Sequence, residues 1–454
     1  MKVLLWHGYL LRGSGSNVYT ANVARAWRAQ GHDVLLLCQE RDVADLDFID
    51  EHGDFTDDNT SYAAVPTSVS PAAGRVALLR PAVGTVLPVY VHDEYEGFVA
   101  KRFVDLSDAE LQTYTDANVS ALVSAIERFR PDAIITGHEV MGPEIARRAS
   151  IATNTSYIAK LHGSGLEFAV KQQERYRRYA SDGLGAARVV VGGSRYMVRE
   201  AAAVVPGWLD RAAVVNPGCD VELFVPRADR DDGAPPRVGF VGKFIPSKGV
   251  HLLLAALGLM TTPDIRAVVV GYGSLDETLR NLHGALAAGD LSRARELASA
   301  GEGGALPNLL PFLDRVGSGY TERIRDVTVR FTGRLEHGPL SKLLPTFDVL
   351  VVPSVLAEAF GMVAAEAAAC GVLPVGPRHS GIGEAIQTLE HDLGVPGLLT
   401  YDPETPVEGI AEAVDRFFSC PQQERKRYGD AASRVARKRW SWDMVARRLL
   451  DLAS

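Results

Sequence analysis

The chain has little of what marks several common protein classes. Its four cysteines in 454 residues, Cys38, Cys219, Cys370 and Cys420, lie far apart and form no CxxC pair. That spacing suits neither a disulfide framework nor a zinc knuckle, and the expected compartment is the reducing cytoplasm. No apolar run approaches the roughly 20 residues that a membrane helix needs. The opening MKVLLWHGYLLRG has one basic residue before a short apolar run and no small-residue cleavage pattern, so it reads as a first strand rather than a signal peptide. Positive charge is not in excess, since 48 Lys and Arg against 56 Asp and Glu give a formal charge of −8. A protein that coats nucleic acid or an anionic membrane over its whole surface is therefore not expected, whereas a local basic pocket remains compatible. No H-E-x-x-H motif, Ser-His-Asp or Cys-His spacing, or internal repeat stands out.

What is present describes a packed α/β protein. Hydrophobic residues make up 46% and charged residues 23% of the chain, ordinary values for a folded core. The length fits about three average domains or two large ones. Short apolar runs without alternation recur between helical patterns. In the first half they are Val3–Trp6, Val34–Leu37, Ala133–Ile135, Tyr157–Leu161, Val189–Val191 and Ala213–Val215. In the second half they are Val238–Val241, Ala267–Val270, Val329–Phe331, Val349–Val352 and Leu373–Val375. Such runs suit strands of parallel sheets covered on both faces. The charged, Pro-rich stretch 226–236 is the best linker. The expected fold is therefore two doubly wound domains, 1–225 and 237–420, with a deep cleft between them onto which the carboxyl ends of both sheets face. Residues 41–130 are too long for one crossover and should hold extra strands (Arg75–Leu79, Val86–Val91) and a helix (Ala109–Arg130). Residues 281–325 read as an insertion in which Leu291, Ala294, Leu297 and Ala298 share one side of a helix.

Several motifs could carry chemistry. Gly13-Ser14-Gly15-Ser16 stands between the first strand and a helix, where glycines and free N–H groups can approach an anion. Val18 occupies the third glycine position of a dinucleotide fingerprint, so NAD binding is a weak reading even with Glu40 ending the second strand. In Pro353–Glu366, a loop leads into an Ala-rich helix with Glu358 before it and Glu366 within it. The N–H groups around Ala359, Phe360, Gly361, Met362 and Val363 would then lie between two carboxylates, as a diphosphate flanked by hydroxyl-bearing rings requires. Lys243 and Lys248 on the loop after Val238–Val241 could neutralise such a phosphate. Strand-end histidines His7, His138 and His162, and the acid- and aromatic-rich segment 92–98 with Tyr95, are candidates for sugar or acceptor hydroxyls. Asp45-Leu46-Asp47 mimics a D-x-D metal site, but chance explains it in so acidic a stretch, and no metal is expected.

These residues resemble a known family, the retaining GT-B glycosyltransferases of the group 1 type, which includes sucrose synthases, bacterial glycogen synthases and phosphatidylinositol mannosyltransferases. The resemblance rests on Glu358, seven residues, then Glu366, with Phe360-Gly361 inside. It is supported in order by Gly13–Ser16, Leu161-His162-Gly163, Asn216–Asp220, Gly271-Tyr272-Gly273-Ser274, Phe331-Thr332-Gly333 and Ser441-Trp442. It implies transfer of a hexosyl group from a nucleoside diphosphate sugar to an acceptor hydroxyl, with retention and without a metal or other cofactor. It implies catalytic roles for Glu358, His162 and Lys248. It also implies donor contacts from Gly13, Ser14, Gly15, Ser16, Lys243, Lys248, Gly273, Ala359–Val363 and Glu366. Apart from the resemblance, the strand-end place of His138 and the acid- and aromatic-rich segment around Tyr95 suit acceptor contacts, though an exposed loop explains that segment equally well. Residues 421–454 are expected to be C-terminal helices crossing back to the first domain, and a homo-oligomer stays open. Lys243 stands where the family usually has Arg, and Pro217 interrupts the N-G-x-D pattern. The rival readings are an epimerase of the same fold, acting on the nucleotide sugar alone, and a non-catalytic nucleotide-binding protein.

Overall fold

In a computed structural model of the chain, residues 1–91, 97–227, 233–300, 304–317 and 319–453 are described. They divide into two compact units, Met1–Pro217 with Trp442–Ser454, and Gly218–Ser441.

The first unit carries β1 (Lys2–Trp6), β2 (Asp33–Leu37), β3 (Glu51–Phe55), β4 (Tyr62–Pro66), β5 (Arg75–Arg80), β6 (Val86–Val89), β7 (Val99–Arg102), β8 (Ala133–Gly137), β9 (Ile158–Lys160), β10 (Val189–Gly192) and β11 (Ala212–Val214). Nine of these form one sheet in the order β11-β10-β9-β8-β1-β2-β5-β3-β4, and β6 and β7 pair separately. All its neighbours are parallel except β3 and β4. The apolar runs supply its central strands because residues such as Leu4, Leu36 and Val190 are wholly buried, as a sheet covered on both faces demands. The helix Asp108–Phe129 starts where Ser107 and Glu110 form a reciprocal capping box, which satisfies two free N–H groups of its first turn. The strand order reverses between β1 and β8, and ligands of such sheets bind at the carboxyl ends beside that reversal.

The second unit carries β12 (Arg237–Lys243), β13 (Arg266–Tyr272), β14 (Thr328–Gly333), β15 (Val349–Val351), β16 (Leu373–Pro377) and β17 (Thr400–Tyr401). They form one sheet in the order β14-β13-β12-β15-β16-β17, the arrangement of a dinucleotide-binding Rossmann fold, with its reversal between β12 and β15. The 281–325 segment holds the end of the helix Asp276–Ala288, the helices Leu291–Ala300 and Leu309–Leu313, and most of the helix Gly319–Asp326. Its Ala294, Leu297 and Ala298 are buried in this unit's own core, with Leu291 packed against it.

The division differs from the expected one. Cys219 and Phe224 are buried in the second unit's core, so that unit begins ahead of the Pro-rich stretch; within the stretch, 228–232 lie outside the described residues. The helix Gln422–Trp440 also stays with the second unit, where Trp440 packs edge-on to Phe360 at 5.6 Å and Ser433 donates to the Ala369 carbonyl. Only the helix Trp442–Ala453 joins the first unit, held by the Trp27 indole, which donates to the Ala446 carbonyl at 2.9 Å.

Candidate functional site

The loops that follow β12 and β15 meet at the second sheet's reversal. Lys248 ends a short 3-10 turn, Pro246–Lys248, and Gly249 continues it in the left-handed region at φ +69°. A Cβ at Gly249 would fall 1.9 Å from the Pro353 carbonyl oxygen, so only glycine lets the loops approach this closely. The Val355 N–H donates to the Ser247 carbonyl at 2.9 Å, and the Lys248 ammonium donates to Glu358 Oε1 at 2.7 Å. Ser354 Oγ donates to the same oxygen. Glu358 Oε2 takes no hydrogen bond among the described residues. The Glu358 backbone is fixed too, its N–H donating to Ser380 Oγ at 3.1 Å and its carbonyl accepting from Gly381 N–H at 2.8 Å.

Sequence patterning thus places Lys248 and Glu358 together. It missed Ser354 and Ser380, whose signal was only their position at strand ends. Lys243 is exposed at the end of β12 and forms no ion pair among the described residues. Gly273 lies on the turn after β13, where Leu275 N–H bonds back to the Phe244 carbonyl at 3.0 Å.

The helix Met362–Ala369 begins after Gly361, and no side chain caps it. Its first N–H groups are left for another acceptor. Phe360 is buried behind them. Glu366, one turn on, is 14% exposed and 3.8 Å from His337 Nε2. Burial pushes its carboxyl above the ordinary range, with the His337 charge opposing and Asp220 reinforcing the shift. Glu358 and Glu366 therefore differ in surroundings. The first is paired with a lysine, the second largely buried beside an imidazole.

The first unit gathers a second cluster at its own reversal. His7, after β1, bonds Asn17 Oδ1 at 2.9 Å and Thr20 Oγ1 at 3.1 Å. His138, after β8, sits at φ +72°, and its ring lies 5.7 Å from His7 and 4.8 Å from both His162 and Tyr90. Its Nε2 is buried with no partner among the described residues. Burial lowers the His7 pKa to about 4 and holds His138 and His162 well below the usual histidine value. All three are therefore neutral near pH 7. Lys160 and Glu139, to which the sequence reading gave no role, are buried beside them at 2% and 0% exposure. A lysine inside the apolar run Tyr157–Leu161 was the available signal for Lys160.

Other candidates fall elsewhere. Gly13–Ser16 is a largely exposed turn whose Ser14 caps the helix Gly15–Ala29. Glu40 is buried, and its two carboxylate oxygens accept from the N–H groups of Leu11 and Asp42, so it braces its own loops. Asp47 pairs with Arg25 at 2.6 Å. Tyr95 lies outside the described residues.

Residues 14–218 match the Glycosyl transferase 4-like domain, and residues 323–435 match Glycosyl transferases group 1. The D-inositol 3-phosphate glycosyltransferase of Corynebacterium efficiens is 30% identical over 266 residues, 54% of this chain and 51% of that protein. Glycogen synthase of Mycobacterium tuberculosis is 29% identical over 53% of this chain and 47% of its own length. The chain thus spans about half the length of the curated relatives it matches. Sucrose-phosphate synthase from Thermosynechococcus elongatus has the same fold, with TM-score 0.61 at 19% identity over 99% of this chain and 98% of that one. The Anabaena HepE protein, solved with UDP, superposes with TM-score 0.63 at 15% identity over 99% of both chains. No described helix is long and apolar enough to cross a membrane.

Proposed function

We propose that the chain, two parts of which match glycosyltransferase family models and which shares its fold with sucrose-phosphate synthase, is a GT-B glycosyltransferase of the group 1 type that moves a hexosyl group from a nucleoside diphosphate sugar to an acceptor hydroxyl with retention and without a metal. The observation that carries this reading is the Lys248–Glu358 contact at the reversal of a Rossmann sheet. An ammonium has three N–H donors. One serves Glu358, and two remain for the oxygens of a diphosphate lodged at the uncapped helix start, where the helix dipole adds to the attraction. As the glycosidic bond breaks, negative charge grows on that diphosphate and positive charge on the sugar. Lys248, Lys243 and the N–H groups near Phe360–Val363 stabilise the first, and Glu358 Oε2 faces the second while holding a sugar hydroxyl. Glu366, buried one turn along, accepts from the ribose hydroxyls. Gly13–Ser16, Gly273 and His162 keep the donor roles that the family resemblance gives them, and His138 an acceptor role. In this mechanism the leaving phosphate oxygen takes the acceptor proton on the same face, so no protein nucleophile is needed.

Neighbouring folds were solved with UDP-glucose and with ADP, which makes glucosyl nucleotides the natural probes. The test is proton NMR of UDP-, ADP- and GDP-glucose turned over in water with excess EDTA. Release of α-glucose before mutarotation supports the reading. Initial β-glucose refutes retention, activity lost in EDTA and restored by Mg²⁺ refutes metal independence, and epimerised nucleotide sugar favours the isomerase.

A further inference from the structure

One peptide group in the first unit is gripped from both ends by buried, oppositely charged residue types. The Leu161 carbonyl accepts from Lys160 Nζ at 3.2 Å, and the next N–H, that of His162, donates to Glu139 Oε1 at 2.9 Å. The same Glu139 oxygen accepts from Gly163 N–H at 2.6 Å, and Oε2 accepts from Leu166 N–H at 3.2 Å. A Cβ on Gly165 would stand 2.6 Å from Oε2, so the loop closes around the carboxylate. The Lys160 ammonium lies over the Tyr19 ring at 5.1 Å, and the His162 ring meets that ring edge-on at 5.2 Å.

We propose that Glu139 and Lys160 are positioning residues for the transfer, clamping the Leu161–His162 peptide so that His162 is held in one orientation at the carboxyl end of β9. This rests on the transferase reading. A buried carboxylate that accepts three N–H groups cannot be exchanged for a neutral side chain without leaving donors unpaired. The Lys160 amine donates at the peptide's carbonyl end and the Glu139 carboxylate accepts at its N–H end, so both bonds hold the same tilt of the plane. The π-turn that follows, Leu166–Val170, begins from the third bond. Simple burial of the loop would not need two ionisable groups in line with one peptide.

The test compares wild type, Glu139→Gln, Lys160→Met and the double variant by hydrogen exchange and by release of UDP from UDP-glucose. In Glu139→Gln the amides of His162, Gly163 and Leu166 should exchange at least about tenfold faster. The Leu161 amide, which bonds the Val191 carbonyl at 2.9 Å, should keep its protection. Turnover should fall on the order of 10²-fold, as misplacement of a reacting contact does, with the dissociation constant for UDP unchanged. The double variant should be little worse than the poorer single one, because both act on one peptide. If Glu139→Gln does not fold, Lys160→Met carries the same test on turnover and on the His162 amide. Unchanged exchange at 162–166, or a uniform rise across the unit with turnover retained, overturns the clamp. A wild type that neither binds nor cleaves UDP-, GDP- or ADP-glucose overturns the transferase reading instead, while the exchange result still judges the grip on the loop.

Discussion

Lys160→Met should change how the first unit's stability responds to pH. In the native state burial brings the Lys160 pKa down from 10.5 to about 7, against a weaker opposing pull from Glu139. The native value lies below the unfolded one. Below pH about 7 both states hold the proton, and the full penalty of a buried ammonium is present. Above it the native state releases a proton that the unfolded chain retains, so stability rises with pH. Between pH 7 and 8.5 the native amine passes from half-protonated to nearly neutral, and the integrated gain is about 2 kcal/mol. The side chain is buried, so solvent does not screen this figure. Methionine has no proton to lose and fills a similar volume. Urea unfolding of both proteins, followed by near-UV signal from the unit holding Trp6 and Trp27, should give a wild-type advantage growing by about 2 kcal/mol across that window. Burial also raises the Cys38 pKa to about 12 from 9.0, which lowers stability above pH 9, but that effect is common to both proteins and cancels in the difference. Parallel pH profiles would refute the reasoning, since they would mean that the amine is solvated or stays charged.

Two further expectations concern the second unit. Glu358→Gln keeps shape but removes the charge opposite the sugar, so kcat should fall on the order of 10²–10³-fold with little change in affinity for the free diphosphate. Glu366→Gln should instead raise the donor KM, weakening nucleotide binding by about 1–3 kcal/mol; steady-state rates beside calorimetry separate the two. His251, buried beside the donor loop, bonds the Pro307 carbonyl of the inserted segment at 2.9 Å, and burial lowers its pKa from 6.5 to about 4. The unfolded chain therefore takes up a proton first as pH falls from 6.5 to 4, and this site loses up to about 3 kcal/mol over that range. Acid melting of His251→Gln should be correspondingly shallower than that of wild type.

Most of the parallel strands were legible because runs such as Val349–Val352 and Val189–Val191 must be buried on both faces. β3 and β4 were not, since EHGDF has no apolar run and YAAVP is almost wholly exposed at a sheet edge. The family resemblance implies that 421–454 cross back together, but the many charges of the helix Gln422–Trp440 hide the packing of Trp440 and Ala432 on the second core, and Trp442–Ala453 alone joins the first unit. At the site, Glu358 and Lys248 could be read from motif spacing, because strand-end loops of one doubly wound sheet converge at its reversal. Strand order itself has no local signature, so the pairing of β12 with β15, and with it the role of Ser354, had to come from the structure. Glu139 was equally hidden, since its partners are backbone N–H groups that no residue type announces.

Titration of UDP, GDP and ADP into wild type and Lys248→Ala by calorimetry at fixed salt tests the central claim most directly. The account predicts that one diphosphate binds wild type without added metal, and that loss of a charged hydrogen bond weakens it by about 1.5–3 kcal/mol, roughly 10- to 100-fold, in a folded Lys248→Ala protein. Equal affinity in the two proteins, or no binding of any diphosphate to wild type, would contradict it.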